Sequence, residues 1–173
     1  MVPLSQQSGE RIRIGGIKLS APLSLYSLDY RDDNRSILHA VLRHLADNQI
    51  NIPYLCHGVE RARSTTTFCI PYQGSDDPFE DFLDNFRPQL LPMVGTLTMF
   101  PHRSSIAVLT SIVDLLLKHD LAVHGFCTSI SAFTLVTEYD LLDDCVTLLL
   151  KIFELPENHA PLRQEFTIRQ ITM

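Results

Sequence analysis

The side chains of this 173-residue chain that could do chemistry are four cysteines, seven histidines and a few paired aspartates, and their spacing limits what they can do. Cys56, Cys69, Cys127 and Cys145 are scattered through apolar stretches with no CxxC pair, so they read as buried thiols. No two cysteines or histidines show ligand spacing; His39 and His44, five apart, would lie about 140° apart around a helix. No metal site is expected. Asp76 with Asp77 and Asp143 with Asp144 fall at helix starts, where the helix dipole accounts for them. Spacing yields no Ser/His/Asp or Cys/His constellation, so neither a catalytic residue nor a cofactor is expected. Gly15 and Gly16, flanked by Arg13, Ile14, Ile17 and Lys18, lack the glycine-rich loop plus lysine that nucleotide phosphates require. Between apolar residues such a pair reads as a bulge or strand kink.

Composition narrows the partners. An apolar share of 45% with 20% charged residues and no low-complexity tract indicates a globular protein long enough for one ordinary domain or two small ones. A net charge of -6 without a Lys/Arg cluster argues against nucleic acid, whose phosphates need a basic surface. The start, MVPLSQQSGERIRI, has no apolar run of signal-peptide length, and no segment approaches the roughly 20 apolar residues that cross a bilayer. The expected location is the cytoplasm, away from membranes.

The elements that must position any site follow from periodicity. After RDDNRS, the residues Ile37, Leu38, Val41, Leu42, Leu45 and Ala46 form a helical stripe. INIPYLCHG, ERARS and STTTFCIP then read as strand, turn and strand. Asp77, Pro78 and Glu80 mark a capped second helix with Phe79, Phe82, Leu83 and Phe86 on its buried face, ending at Pro88. LLPMVGTLTMF is β-like, with a break expected near Gly95. The order then repeats: PHRSS, a helix carrying Ile106, Leu109, Ile112, Val113 and Leu116, a strand pair in LAVHGFCTS and SAFTLVT, and a helix from near Asp140 with Leu142, Cys145, Val146, Leu149, Ile152 and Phe153. QEFTIRQI reads as a last strand.

The repeat is one of registration as well as kind. Ile50, Asn51 and Ile52 precede Leu121, Ala122 and Val123 by 71 positions, as Cys56 precedes Cys127; from Asp77 to Asp140 the offset is 63, so the second copy has the shorter strand-to-strand connection. Two such copies imply an α+β fold of two βαββαβ modules, with antiparallel sheets covered by helices on one face.

LADNQINI with TTTFCIP resembles the first regulatory ACT module of aspartate kinases. KHDLAVHGFCTSISAFTLV and LLDDCVTLLLKIFEL resemble the second, and RIGGIKL resembles the short strand preceding the pair. The likeness runs from about Arg11 to Ile171 and rests on order and spacing more than on any one motif. It implies ferredoxin-like modules: a flexible stretch at 1–10, module 1 at 11–93 and module 2 at 94–173. It also implies interleaving, in which RIRIGGIKL and EFTIRQI pair and the last strand completes module 1. A kinase domain has no room in 173 residues.

The resemblance also places a ligand site where the loop after a module's first strand meets the start of its second. In module 1 that implies Asp32, Asp33, Asn34, Arg35 and Ser36 opposite Asn51 and Ile52, with His57 at the strand's far end. Free N–H groups at the helix start would receive an amino acid's carboxylate, Arg35 would pair with it, and Asp33 would take the ammonium. The same residues also suit solvated caps and turns. In module 2 the matching positions are Arg103, Ser104 and Ser105, then Ala122 and Val123, then Thr128 and Ser129. Many modules of this type have a glycine in the loop, whereas these loops carry Ser or Arg. Two readings therefore stand. One is a non-catalytic sensor that binds a small amino acid and modulates a partner enzyme of amino-acid metabolism. The other is an interaction or dimerisation subunit that has lost the ligand. Both imply a homodimer, because the sheets leave edges to cover.

Overall fold

The computed structural model describes residues 11–31, 36–61, 63–72, 74, 78–100 and 106–163. Along them run β1 (Ile12–Arg13), β2 (Gly16–Leu19), β3 (Leu23–Arg31), α1 (Ser36–Asp47), β4 (Tyr54–Glu60), β5 (Arg63–Pro71), α2 (Pro78–Leu83), β6 (Gln89–Phe100), α3 (Ile106–Lys118), β7 (Gly125–Thr128), β8 (Phe133–Glu138), α4 (Leu142–Leu149) and β9 (Phe153–Glu154). The expected α+β class holds, with helices and sheet strands in the anticipated order.

The antiparallel pairings join into one sheet, in the order β4-β5-β3-β6-β8-β7, with β2 also on β6. β6 is the shared strand. Its first residues, Gln89 to Val94, pair with β3, whereas Val94 to Met99 pair with β8 and Leu97 to Phe100 with β2. The expected module boundary at 93/94 falls inside this strand. Its irregularity lies at Met93, two residues ahead of the expected break at Gly95: Met93 has φ +57°, and the pairing slips between Leu23↔Val94 and Leu25↔Leu91. One extra residue on β6 makes a bulge that re-aims the strand as it passes from one half to the other. Gly95 has a packing role instead, since a Cβ there would come within 2.5 Å of Leu142 Cδ1.

The chain's first strand region is two strands, not one. Gly15 and Gly16 form the kink between β1, which pairs in parallel with β9, and β2, which pairs with β6. Leu19 also bridges Arg163 in parallel. The expected strand QEFTIRQI lies outside the described residues.

Both long helices end by one device, repeated at the 71-residue spacing. Gln49 and Asp120 adopt positive φ, and the next residues donate back into the helix, Ile50 N–H to Leu45 O at 2.9 Å and Leu121 N–H to Leu116 O at 3.2 Å. Ile50 and Leu121 are thereby absorbed into helix caps, which is why β4 and β7 start later than INIP and LAVH suggest. The first hairpin turns tightly at Arg61, so ERARS is mostly strand. Cys56 faces Thr67, eleven positions on, and Cys127 faces Thr134, seven on, so the second hairpin is the shorter one, as its offset requires. α4 stops at Leu149 rather than running on to Phe153, because Lys151 and Ile152 close tighter turns onto Leu148 and Leu149 and Phe153 enters β9.

Two cores form on the helix-covered side. Tyr26, Leu28, Phe68 and Ile70 pack beneath Val41 and Leu45 of α1 and Phe79 and Leu83 of α2. Leu97, Met99, Phe133 and Leu135 pack beneath Ile112 and Leu116 of α3 and Cys145 and Leu149 of α4. Strand alternation sends Leu23, Leu25, Tyr54, Cys69, Val94 and Val136 to the opposite face, where they form a third cluster joining both halves. The four cysteines were expected to be buried. Cys69 and Cys145 are; Cys56 and Cys127 are exposed because β4 and β7 are the sheet's edge strands.

Candidate ligand-binding site

A polar network stands at the end of the first half. Thr66, on β5, is opposite His57 on β4 and Leu28 on β3, and it is fully buried on the helix-covered side. Its Oγ1 lies 2.9 Å from Tyr30 Oη and 2.9 Å from His57 Nδ1. One hydroxyl carries one proton and two lone pairs, so it serves both partners. Whichever tautomer His57 takes, Nδ1 is engaged by Thr66, which fixes the ring and leaves Nε2 for the surface. The Tyr30 and His57 ring planes are within 24° of each other, with centroids 6.4 Å apart. Tyr30 is next to last in β3, which ends at Arg31, and α1 begins at Ser36.

The expected loop residues Asp32, Asp33, Asn34 and Arg35 lie outside the described residues, as do Arg103, Ser104 and Ser105. Ser36 is the exposed first residue of α1. Asn51 is exposed, and Ile52 packs against the first core. Sequence reasoning singled out His57 but missed Tyr30 and Thr66, which orient it. Their signal was present in the alternation of β3 and β5, which puts Thr66 on the inward face with Ser64, Phe68 and Ile70, opposite Leu28 and next to Tyr30.

Among the described residues, the second half builds the matching position differently. One rung beyond the matched Cys56 and Cys127, His57 pairs with Thr66 but Thr128 pairs with Phe133. The position of the shared hydroxyl is thus taken by a phenyl ring, stacked on Phe126 at 6.0 Å. Ala122 gives its carbonyl to Thr137 Oγ1 at 2.6 Å, Val123 is exposed, and Ser129 closes the turn to Ala132, its N–H donating to Ala132 O at 2.8 Å. Ala122 and Ser129 are thus bonded within their own half.

Burial raises three cysteine thiols, Cys69, Cys127 and Cys145, and one phenol. It pushes the Cys69 thiol up to about 12 and Cys145 up to about 11. Tyr54 is pushed up to about 12, first by burial and then by the neighbouring Cys56, Cys127 and Cys69 sulfurs. None is poised as a nucleophile at neutral pH. Among the described residues, no three His, Cys, Asp or Glu side chains gather in a metal-sized group, and no helix is long and apolar enough to cross a membrane.

No protein-family model matches the sequence, and no curated protein matches it significantly. Solved structures do match in fold. The ligand-free regulatory subunit of aspartate kinase from Thermus thermophilus superposes with a TM-score of 0.67 at 16% identity, over 82% of this chain and 99% of that one. The corresponding subunit from Thermus flavus gives 0.63 at 13% identity, over 80% and 97%. Aspartokinase III of E. coli, in complex with lysine and aspartate, gives 0.59 at 14% identity, over 86% of this chain and 35% of that one. The fold is that of an ACT-type aspartate kinase regulatory region.

Proposed function

We propose that this chain is a non-catalytic regulatory protein, cytoplasmic and homodimeric, that binds a small amino acid in its first half and thereby modulates a partner enzyme of amino-acid metabolism. The site is the 32–36 loop with Asn51, Ile52 and His57. The carrying observation is the Tyr30–Thr66–His57 network, a costly polar intrusion into a strand face that the second half builds from phenyl rings. The fold adds to this reading: it matches regulatory subunits nearly end to end, and one matching enzyme carries lysine and aspartate. The proposed module limits are 11–93 and 94–173.

Screening the twenty amino acids by thermal shift tests the reading. A ligand at 100 times its Kd adds about 2.7 kcal/mol by mass action, which for a chain of this size raises Tm by roughly 5 to 11 °C. His57→Gln should reduce that shift. Absence of any shift at millimolar amino acid sinks the ligand and leaves the interaction-subunit reading. That second reading is favoured by the edge strands β4 and β7, which expose Leu55, Val59 and Phe126. A monomer in light scattering at micromolar concentration would exclude the homodimer that both readings share.

A further inference from the structure

The outermost strands of the sheet, β4 and β7, stand at opposite ends of the strand order and yet meet. The sheet curves so far towards its helix-free face that Tyr54 of β4 lies against Gly125 of β7, where an added Cβ would come within 2.7 Å of Tyr54 Oη. Exchanging β4 with β7, β5 with β8 and β3 with β6 turns the strand order onto its own reverse, as a two-fold axis does. Tyr54 and Gly125 are separated by the repeat spacing of 71 positions, so they are mates under that exchange and their contact lies close to the axis. The tyrosine fits there because its counterpart has no side chain.

Cys56 and Cys127 are mates as well, one pleat beyond Tyr54 and Gly125 and therefore on the same helix-free face, opposite Thr67 and Thr134. Both are exposed free thiols, whereas Cys69 and Cys145 are buried. The Tyr54 hydroxyl, which touches Gly125, is also hydrogen-bonded to Cys56 and is influenced by the Cys127 sulfur. Burial pushes the Cys127 thiol up, a hydrogen bond with Thr134 partly offsets this, and the nearby Cys56 raises it again. Tyr54, Gly125, Cys56 and Cys127 thus form one cluster that spans the two edges. Each edge strand is paired in the sheet on one side only, which lets β4 and β7 adjust until the two Cα atoms lie within the roughly 7 Å that a disulfide bridges.

We propose that Cys56 and Cys127 form a reversible intrachain disulfide that clasps the two edge strands, made and broken by exchange with a small disulfide of the glutathione class. The Cys56 thiolate attacks one sulfur of glutathione disulfide, breaking its S–S bond, expelling one glutathione thiolate and leaving a mixed disulfide on Cys56. The Cys127 thiolate then attacks the Cys56 sulfur and expels the second glutathione thiolate. Two electrons pass from the cysteines to the reagent, and the two protons that the cysteines give up go to the departing thiolates. The raised Cys127 thiol slows this second step, which its position offsets, because a neighbour held in place acts as if at very high concentration. An exposed bond between edge strands belongs with labile, regulatory disulfides, the kind that a reducing compartment permits transiently. The proposal stands independently of the amino-acid site.

The test incubates the full chain, folded and at micromolar concentration, with glutathione disulfide and maps the product by mass spectrometry without reduction. The expected product is a chain lighter by two hydrogens, with the Cys56 and Cys127 peptides joined, that runs as a single chain on a non-reducing denaturing gel and reverts with dithiothreitol. Its Tm should rise by roughly 4 to 16 °C, the gain expected from cross-linking across so long a loop in a protein of this size. Cys56→Ser and Cys127→Ser should each stop at one glutathione adduct and show no such rise. The proposal is overturned if the parent chain does not react, ends with separate adducts on Cys56 and Cys127, or yields the joined peptides only in a linked dimer. It is equally overturned if either serine variant gains the same Tm. Peptide mapping of the parent decides the matter without any variant, and the amino-acid screen fails or succeeds separately.

Discussion

Thr66→Val removes one oxygen from the centre of the first half, and the structure says what that oxygen is worth. Valine keeps the β-branched shape and fits the strand, so the backbone and packing stay as they are. The loss falls on two partners unequally. His57 is exposed and re-pairs with water at little cost, but Tyr30 is only 8% exposed, and its hydroxyl keeps its burial without its partner. A lost hydrogen bond and an orphaned phenol together cost about 2 kcal/mol, a fall in Tm of roughly 4 to 8 °C at this size. Tyr30→Phe alone leaves Thr66 bonded to His57 and should cost about 1 kcal/mol or less. The double variant orphans nothing buried, so its cost should fall short of the sum by about 1 kcal/mol, the coupling expected of groups in contact. Urea denaturation of the four proteins measures the cycle. Additive costs, or a Thr66→Val protein as stable as the parent, would refute the claim that this hydroxyl holds the network together.

Stability should fall steeply at alkaline pH. In the unfolded chain thiols ionise near 8.5, whereas burial holds Cys69 at about 12 and Cys145 at about 11. Between those limits the unfolded state binds fewer protons, so the slope is negative, about 1.4 kcal/mol per pH unit for each thiol, and below pH 8 the contribution is constant. Urea midpoints at pH 8 and 10 would show it, and a Cys69→Ala/Cys145→Ala protein should have a visibly flatter profile. Thiol labelling followed by mass spectrometry should modify Cys56 first and Cys127 more slowly, since burial raises the Cys127 thiol; Cys69 and Cys145 should react only on unfolding. Gly95→Ala should destabilise by about 1 to 3 kcal/mol through overpacking, because its Cβ would meet the fully buried Leu142, and calorimetry would reveal it.

Helices and strand pairs were legible because their signals are local. The apolar stripe of α1 and the Pro88 stop lie within a few residues of what they govern. The shorter second hairpin, too, could be read from an offset alone. What pairing distributes across the chain was not legible. β2 reads as a neighbour of β3 in sequence but is bonded to the far half of β6, and no periodicity encodes that choice. The bulge at Met93 was displaced onto Gly95 because glycine is the usual bearer of positive φ; here a methionine bears it and the glycine is reserved for contact with Leu142. In the site, His57 stood out by type, while Tyr30 and Thr66 acquire meaning only when three strands lie side by side.

The shared strand decides how separable the two halves of the sheet are. β6 serves both halves of the sheet, and β2, which precedes the first half in the chain, pairs in the second. Cutting the chain at 93/94 would divide β6, leaving its first residues with β3 and the rest with β8, and would part β2 in the first fragment from its partner in the second. The two halves are held as one sheet that cannot be parted along the chain, and they differ where the first places Thr66 and the second Phe133.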